Sequence, residues 1–224
     1  MRNKNIVRQN PSKPGEDAVV SPLMGIIIPV IWTVPGYNLL MTQFYTRKGD
    51  DGYTGLLGEG RVPKHDLRPE AVGAIDEASA ALGWARAHSQ AALSPEILIS
   101  IQRDLYGLMA EIAATPENAA RFRTIGAERL AWLEAQIELV SSQTVIPTEF
   151  ILPGDTRAGA AMALARTVVR RAERRVAELF LGNQIENRFL LQYINRLSSL
   201  LFILELLENQ AAGYEKPTLA KGIK

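Results

Sequence analysis

No cysteine occurs in the 224 residues. That removes disulfides, thiolate zinc sites, iron–sulfur clusters and cysteine nucleophiles together, and it fits a reducing compartment. Histidine is nearly as scarce, with only His65 and His88. A multi-histidine metal centre is therefore excluded, and neither histidine has the Glu three residues before it that a di-iron Glu-x-x-His pair requires. Excess charge of either sign is missing too. Twenty-five Lys and Arg against 24 Asp and Glu leave a net charge of +1, so the chain has no overall basic field for DNA or RNA. Solenoid-period repeats, low-complexity tracts and convincing strand alternation are also absent. What remains is ordinary globular composition, 47% hydrophobic and 22% charged, in a chain long enough for one large domain or two small ones.

Residues 1–22 are polar and carry Pro11, Pro14 and Pro22, the composition of a flexible tail. Leu23 to Met41 then runs without a formal charge and is nearly long enough to span a bilayer. Pro29, Pro35, Gly25 and Gly36 interrupt it, and no small-residue cleavage site follows. Met41 would make a natural start just before the first motif. Residues 1–41 are accordingly read as an N-terminal extension, flexible or produced by a mis-called start. A docked hydrophobic arm and a membrane anchor are the other readings, and membrane association is not expected. Residues 42–212 form the working domain, and residues 213–224 a flexible tail.

From Pro69 onward the pattern is helical. A first helix runs to about His88, with Ala71, Ile75, Ala78, Leu82 and Ala85 on one stripe. Ser94 and Pro95 open a second as N-cap and first-turn proline, and it ends before Pro116. Thr124 caps a third, in which Leu130, Leu133, Ile137 and Val140 keep helical spacing. After breaks at Pro147 and at Pro153–Gly154, Asp155 or Thr156 caps a fourth helix reaching about Gly182. The fifth spans about Asn187 to Asn209 on a seam of Leu190, Ile194, Leu197, Leu201 and Leu204. Five amphipathic helices after a glycine-rich opening predict an all-α bundle.

Two segments carry candidate chemistry. Thr46 to Gly60 holds glycines at 49, 52, 55, 58 and 60 beside Arg47, Lys48 and the hydroxyls of Thr46 and Thr54. Glycine lets backbone N–H groups approach an anion closely, but a mobile surface loop has the same composition. The Walker spacing from Gly55 to Gly60 fails, because Arg61 and Val62 stand where Lys and Ser/Thr are required. On the fourth helix, at about 100° per residue, Arg170, Glu173 and Arg174 fall within about 80° of Arg166. Stacked arginines repel unless anions answer them. A polyphosphate or carboxylates from another chain would do so, and a solvated face with scattered salt bridges is the plainer reading. Asn195, Arg196, Ser198 and Ser199 place polar groups within the apolar fifth helix, facing either a site or a structural hydrogen-bond network.

Taken in order, these pieces resemble the PduO-type ATP:cob(I)alamin adenosyltransferases. They are YTRKGDDGYTGLLGEGRVPKHDLR from Tyr45, GAIDE from Gly73, FILPGD from Phe150, ARTVVRRAERR from Ala165 and YINRLSSLLF from Tyr193. The resemblance covers roughly residues 43–208 and implies a five-helix bundle in a cytoplasmic homotrimer with active sites between subunits. It implies transfer of the 5′-deoxyadenosyl group of ATP to the cobalt of a Co(I) corrinoid such as cob(I)alamin, releasing triphosphate. Thr46, Arg47, Gly49, Asp50, Gly52, Thr54 and Lys64 would hold the ATP phosphates. Arg166 and Arg170 would lie against the nucleotide from the neighbouring chain, Asn195 would contact it, and Glu173 would help bind ATP and its Mg²⁺. Asp76 would pair with a fourth-helix arginine across the interface. Phe150 would press on the corrinoid's lower face and help expel the axial ligand.

The chain departs from the family's PGG at Asp155, from DELN at Ser79, from a histidine at Ala163 and from NRLSD at Ser199. These departures bear on corrinoid handling more than on ATP binding. They keep open a non-catalytic trimer that binds ATP or a corrinoid as a delivery or sensing module. A corrinoid reductase or an adenosylcobalamin-dependent enzyme would be the partner, with no nucleic acid.

Overall fold

The computed structural model describes residues 45–221. The N-terminal extension and its apolar run, Leu23 to Met41, lie outside the described residues. Strands β1 (Tyr53–Gly55) and β2 (Arg61–Pro63) form a small antiparallel hairpin with Thr54 opposite Val62. Helices follow as α1 (Leu67–His88), α2 (Ser94–Ala113), α3 (Pro116–Ala119), α4 (Ala127–Ser142), α5 (Arg157–Leu181) and α6 (Arg188–Ala211). The all-α expectation holds in outline. The hairpin and the single-turn α3 are additions to it, both too short to leave a period in the sequence.

Apolar spacing explains the long helices. The stripe of α1 is buried as its sequence predicts, and Ala165, Val169, Ala172, Val176 and Leu179 of α5 are all 0% exposed. Helix α5 packs between α1 and α6, with α2 against α1 and α4 against α6. At about 1.5–3 kcal/mol for each fully buried Leu or Ile, the α6 seam is a major source of stability. Helix α6 has the length and hydropathy of a membrane span, but Leu190, Ile194, Leu197, Leu201 and Leu204 lie in the helical core.

Several helix starts differ from expectation. Asp66 accepts from the Arg68 N–H at 3.0 Å and caps α1, which holds Pro69 in its first turn as expected. Ser94 is the first residue of α2 rather than its cap, and its buried hydroxyl has no partner among the described residues. Thr124 caps nothing; Gly126 holds the N-cap position of α4. Thr124 instead lies over Gly107 of α2, where a Cβ would meet its Oγ1 at 2.1 Å. Of the two candidates before α5, Thr156 is the cap, accepting from the Gly159 N–H at 2.9 Å.

Buried polar groups tie the helices together. The Arg68 guanidinium donates to the carbonyls of Ile112 (2.8 Å), Ala114 (2.9 Å) and Gln184, closing the open C-terminus of α2 against the α5–α6 turn. Buried Glu111 accepts from Arg123 at 3.2 Å and Asn187 at 3.0 Å. Glu208 accepts from the backbone N–H groups of Gln90 and Ala91 at 2.7 and 3.2 Å.

The segment after α6, read from sequence as a flexible tail, returns along the loop before α5. The Leu152 N–H donates to the Thr218 carbonyl and the Ala220 N–H to the Phe150 carbonyl, each at 2.8 Å. Asp155 accepts from the Thr218 N–H at 3.0 Å and its hydroxyl at 2.6 Å. Asp155 is therefore a tether for this segment, not the helix cap.

Candidate active site

The glycine-rich opening is organised by an ion pair ten residues apart in sequence. The Arg61 guanidinium donates to both Asp51 carboxylate oxygens at 2.7 and 2.8 Å, and to the carbonyls of Lys48 (2.5 Å) and Tyr53 (3.1 Å). Arg61, helped by the Tyr53 N–H, holds the Asp51 carboxyl down at about 2, below its ordinary 3.8. Arg47 takes a left-handed φ of 59°, a conformation a non-glycine residue keeps only where its surroundings hold it. Lys64 lies over Gly49, where a Cβ would come within 3.0 Å of Nζ. Thr46, Asp50 and Gly52 thus sit in a cationic turn, with Thr54 on the adjoining strand β1, beside the pair Asp51 and Arg61, two residues that composition alone did not single out.

A pH dependence follows from that pair. A depressed carboxyl contributes stability that is present above 3.8 and lost as pH falls through about 2. Replacing Asp51 with Asn should therefore speed amide exchange at Tyr53 and Lys64 at neutral pH, with little effect on the helices. Unchanged exchange at both amides would contradict the assignment.

The second cluster spans three helices. Asn195 donates to Glu173 at 2.6 Å, and Arg170 approaches the same carboxylate at 3.7 Å. Arg196 donates to the Asn195 side-chain oxygen at 3.1 Å and pairs with Glu134 at 3.3 Å. The structure therefore brings Arg170, Glu173 and Asn195 together as the sequence suggested. Glu134 and Arg196 extend the network to α4. No hydrogen bond or ion pair joins it to the hairpin within the described residues of one chain.

Arg166, one turn earlier on α5, lines a cavity of about 450 Å³ whose wall includes Phe150, Ile151, Pro153, Phe202 and Glu205. Phe150 is 88% exposed at its lip. Glu205 is the site residue that reading the α6 seam missed; its signal is a lone carboxylate in the run LLFILELL. Burial pushes its carboxyl up to about 7, Arg166 opposes the rise, and Asp155 adds to it. The folded state therefore holds a proton that the unfolded chain releases above about 4.5. That contribution is present below 4.5 and lost as pH rises through about 7. On going from pH 5 to pH 8, the wild-type chain should lose unfolding free energy relative to Glu205→Gln. Parallel pH profiles in denaturant titrations would contradict this.

Asp76 lies on the exposed side of α1, with no ion-pair partner among the described residues. Its neighbour Glu77 pairs with Arg171 of α5, and Arg175 reaches Glu70 at 3.8 Å and Glu178 at 3.0 Å. Of the other departures from the family pattern, Ala163 is buried and Ser199 exposed. Neither disturbs the polar cluster.

Known proteins share the sequence and the helical fold of this chain. Residues 44–208 match the cobalamin adenosyltransferase family. The corrinoid adenosyltransferase PduO of Citrobacter freundii is 39% identical over 170 residues, 75% of this chain and 50% of that protein. The corrinoid adenosyltransferase of Bacillus subtilis is 34% identical over 176 residues, 76% of this chain and 89% of that protein. A solved variant of the PduO-type ATP:corrinoid adenosyltransferase from Lactobacillus reuteri, complexed with cobalamin and ATP, superimposes with a TM-score of 0.74 at 29% identity. The match covers 80% of this chain and 100% of that one. The chain spans about half the length of the Citrobacter PduO protein. It belongs to the cobalamin adenosyltransferase family.

Proposed function

We propose that this protein transfers the 5′-deoxyadenosyl group of ATP to the cobalt of a Co(I) corrinoid, giving adenosylcobalamin and triphosphate. The observation that carries the reading is the placement of Arg166. It stands on the same face as Arg170 and Glu173 and also lines the cavity beneath Phe150. One helix therefore serves a polyanion on one side and an apolar ligand on the other.

The chemistry asks little of protein nucleophiles. The cobalt lone pair attacks the 5′ carbon, a cobalt–carbon bond forms, and the carbon–oxygen bond breaks with its electrons leaving on triphosphate. Charge develops on the leaving group, so preorganised cations and backbone N–H groups are the effective stabilisers. Thr46, Arg47, Gly49, Asp50, Gly52, Thr54 and Lys64 hold the phosphates, and Arg166 and Arg170 meet the nucleotide from the neighbouring chain. Asn195 contacts the nucleotide and orients Glu173. Phe150 presses on the corrinoid face and keeps the axial ligand away from cobalt.

Mg²⁺ enters on ATP. Among the described residues no group of three His, Cys, Asp or Glu forms a metal site, so Glu173 is a single carboxylate suited to a cation already held by phosphates. Such a cation would offset charge on the triphosphate.

Among the described residues the hairpin and the arginine face share no polar contact within one chain, and Asp76 stands free of the α1–α5 ion pairs. Both support a homotrimer in which one subunit's loop and Asp76 meet the next subunit's α5. The catalytic unit is residues 42–212, working in the cytoplasm. The corrinoid arrives from a reductase, and the product passes to an adenosylcobalamin-dependent enzyme.

The test is incubation of the purified chain with ATP, Mg²⁺ and chemically reduced cobalamin, followed by absorption of the product. Adenosylcobalamin formed over many turnovers supports the reading. Binding of ATP and corrinoid without product would make the protein a delivery or sensing module.

A further inference from the structure

The loop that carries Phe150 is held by the segment after α6. Gly213 ends α6 in a left-handed turn at φ 86°, the C-terminal conformation that glycine suits, and the chain returns toward the start of α5. Among the described residues, positions 145–154 make only two backbone hydrogen bonds, and both go to this returning segment. The Ala220 N–H donates to the Phe150 carbonyl and the Leu152 N–H to the Thr218 carbonyl, with Ile151 opposite Leu219 as an antiparallel bridge. Pro147 and Pro153 have no N–H to offer, and the Phe150 side chain is too exposed for packing to fix it. Asp155 completes the clasp through the Thr218 N–H and hydroxyl. Asp155 is also a position at which the chain departs from the family's pattern, and the segment it holds lies beyond residue 208, where the family match ends.

We propose that residues 214–221 are a strap that sets the Phe150 loop over the corrinoid, with Asp155 and Ala220 as its positioning residues. The inference rests on the reading of Phe150 as the residue that keeps the axial ligand from cobalt. None of residues 214–221 lines the cavity beneath Phe150, so the strap acts through the loop and not on the ligand. An exposed ring that must displace a ligand needs a fixed backbone, because about 1 Å of misplacement can cost on the order of 10²-fold in rate. The strap works by hydrogen bonds and not by the charge of Asp155, which separately raises the Glu205 carboxyl. Asp155→Asn removes the charge and keeps the clasp, since Oδ1 accepts from the Thr218 N–H and Nδ2 donates to the hydroxyl oxygen. Asp155→Ala removes both contacts. Ala220→Pro removes the N–H that holds the Phe150 carbonyl and leaves Asp155 in place.

Two measurements on the full-length protein test it, with wild type compared to these three variants. Amide exchange reads the strap itself. The Leu152 amide should exchange about tenfold faster in Asp155→Ala than in wild type or Asp155→Asn, the scale of one hydrogen bond. Absorption and electron paramagnetic resonance of cob(II)alamin bound together with ATP read the consequence. Wild type and Asp155→Asn should hold most of it without its axial base, whereas Asp155→Ala and Ala220→Pro should leave the base on cobalt. In those two variants kcat should fall by about tenfold or more, with KM for ATP unchanged. An unprotected Leu152 amide in wild type, wild-type ligation in either Asp155→Ala or Ala220→Pro, or Asp155→Asn behaving as Asp155→Ala overturns the strap and leaves the functional reading standing. If Asp155→Ala does not fold, Ala220→Pro, at an exposed position, decides alone. Wild type that binds no corrinoid, or that keeps the base on cobalt, overturns the functional reading and this inference with it.

Discussion

Replacing Arg170 with alanine should lower adenosyl transfer by about 10²- to 10³-fold, the cost of removing one preorganised donor from developing negative charge. The chain should still fold. Arg170 is half-exposed, and among the described residues its only ion pair is to Glu173 at 3.7 Å. An exposed pair of that kind contributes ~0–1 kcal/mol. The neighbouring core residues Val169 and Ala172 carry the packing of this turn, both 0% exposed. In binding, a charge-assisted contact to phosphate is worth ~1.5–3 kcal/mol, so ATP affinity should fall with turnover. Steady-state kinetics beside a thermal unfolding curve separate the two effects. Wild-type turnover would remove Arg170 from the site, and an unfolded variant would make it structural.

Asp76→Asn should be nearly silent in the folding of one chain and severe in the working protein. Among the described residues Asp76 has no ion-pair partner. Glu77 and Glu70 instead take Arg171 and Arg175 within the chain, so the α1–α5 seam closes without it. Across a subunit boundary the account is different. If Asp76 meets an α5 arginine away from water, the stranded charge costs roughly 3–5 kcal/mol, and both trimer stability and turnover should drop. Sedimentation and kinetics on the same sample read both. Subunit mixing sharpens the claim, because Asp76→Asn and Arg170→Ala chains should each be strongly impaired and, in a site shared between chains, should together supply one intact copy. Activity should return on exchange. Parents that exchange subunits and stay inactive would refute a site shared between chains.

The long helices were legible because a period of 3.6 in small and branched residues survives any tertiary context. The stripes of α1, α5 and α6 follow it residue by residue. Glu173 and Asn195 were singled out separately, and their 2.6 Å contact needed only α5 and α6 to pack side by side. Other features left no such trace. Strands of three residues cannot show alternation, and the pair that holds them, Asp51 and Arg61, is invisible to local pattern. Thr124 carried a capping residue's chemistry but packs on Gly107, a tertiary demand that overrode the local signal. The segment around Thr218 looked featureless because its order comes from Asp155, 63 residues away in sequence. Glu205 was the one readable omission, a carboxylate set in a leucine-rich run.

The most direct measurement of the central claim is the identity of the phosphate product. With ATP, Mg²⁺ and reduced cobalamin, chromatography of a complete reaction should show intact inorganic triphosphate equal in amount to the cobalt–carbon product. Orthophosphate with ADP, or pyrophosphate with AMP, formed without adenosylcobalamin would contradict displacement at the 5′ carbon and the role given to the α5 arginines.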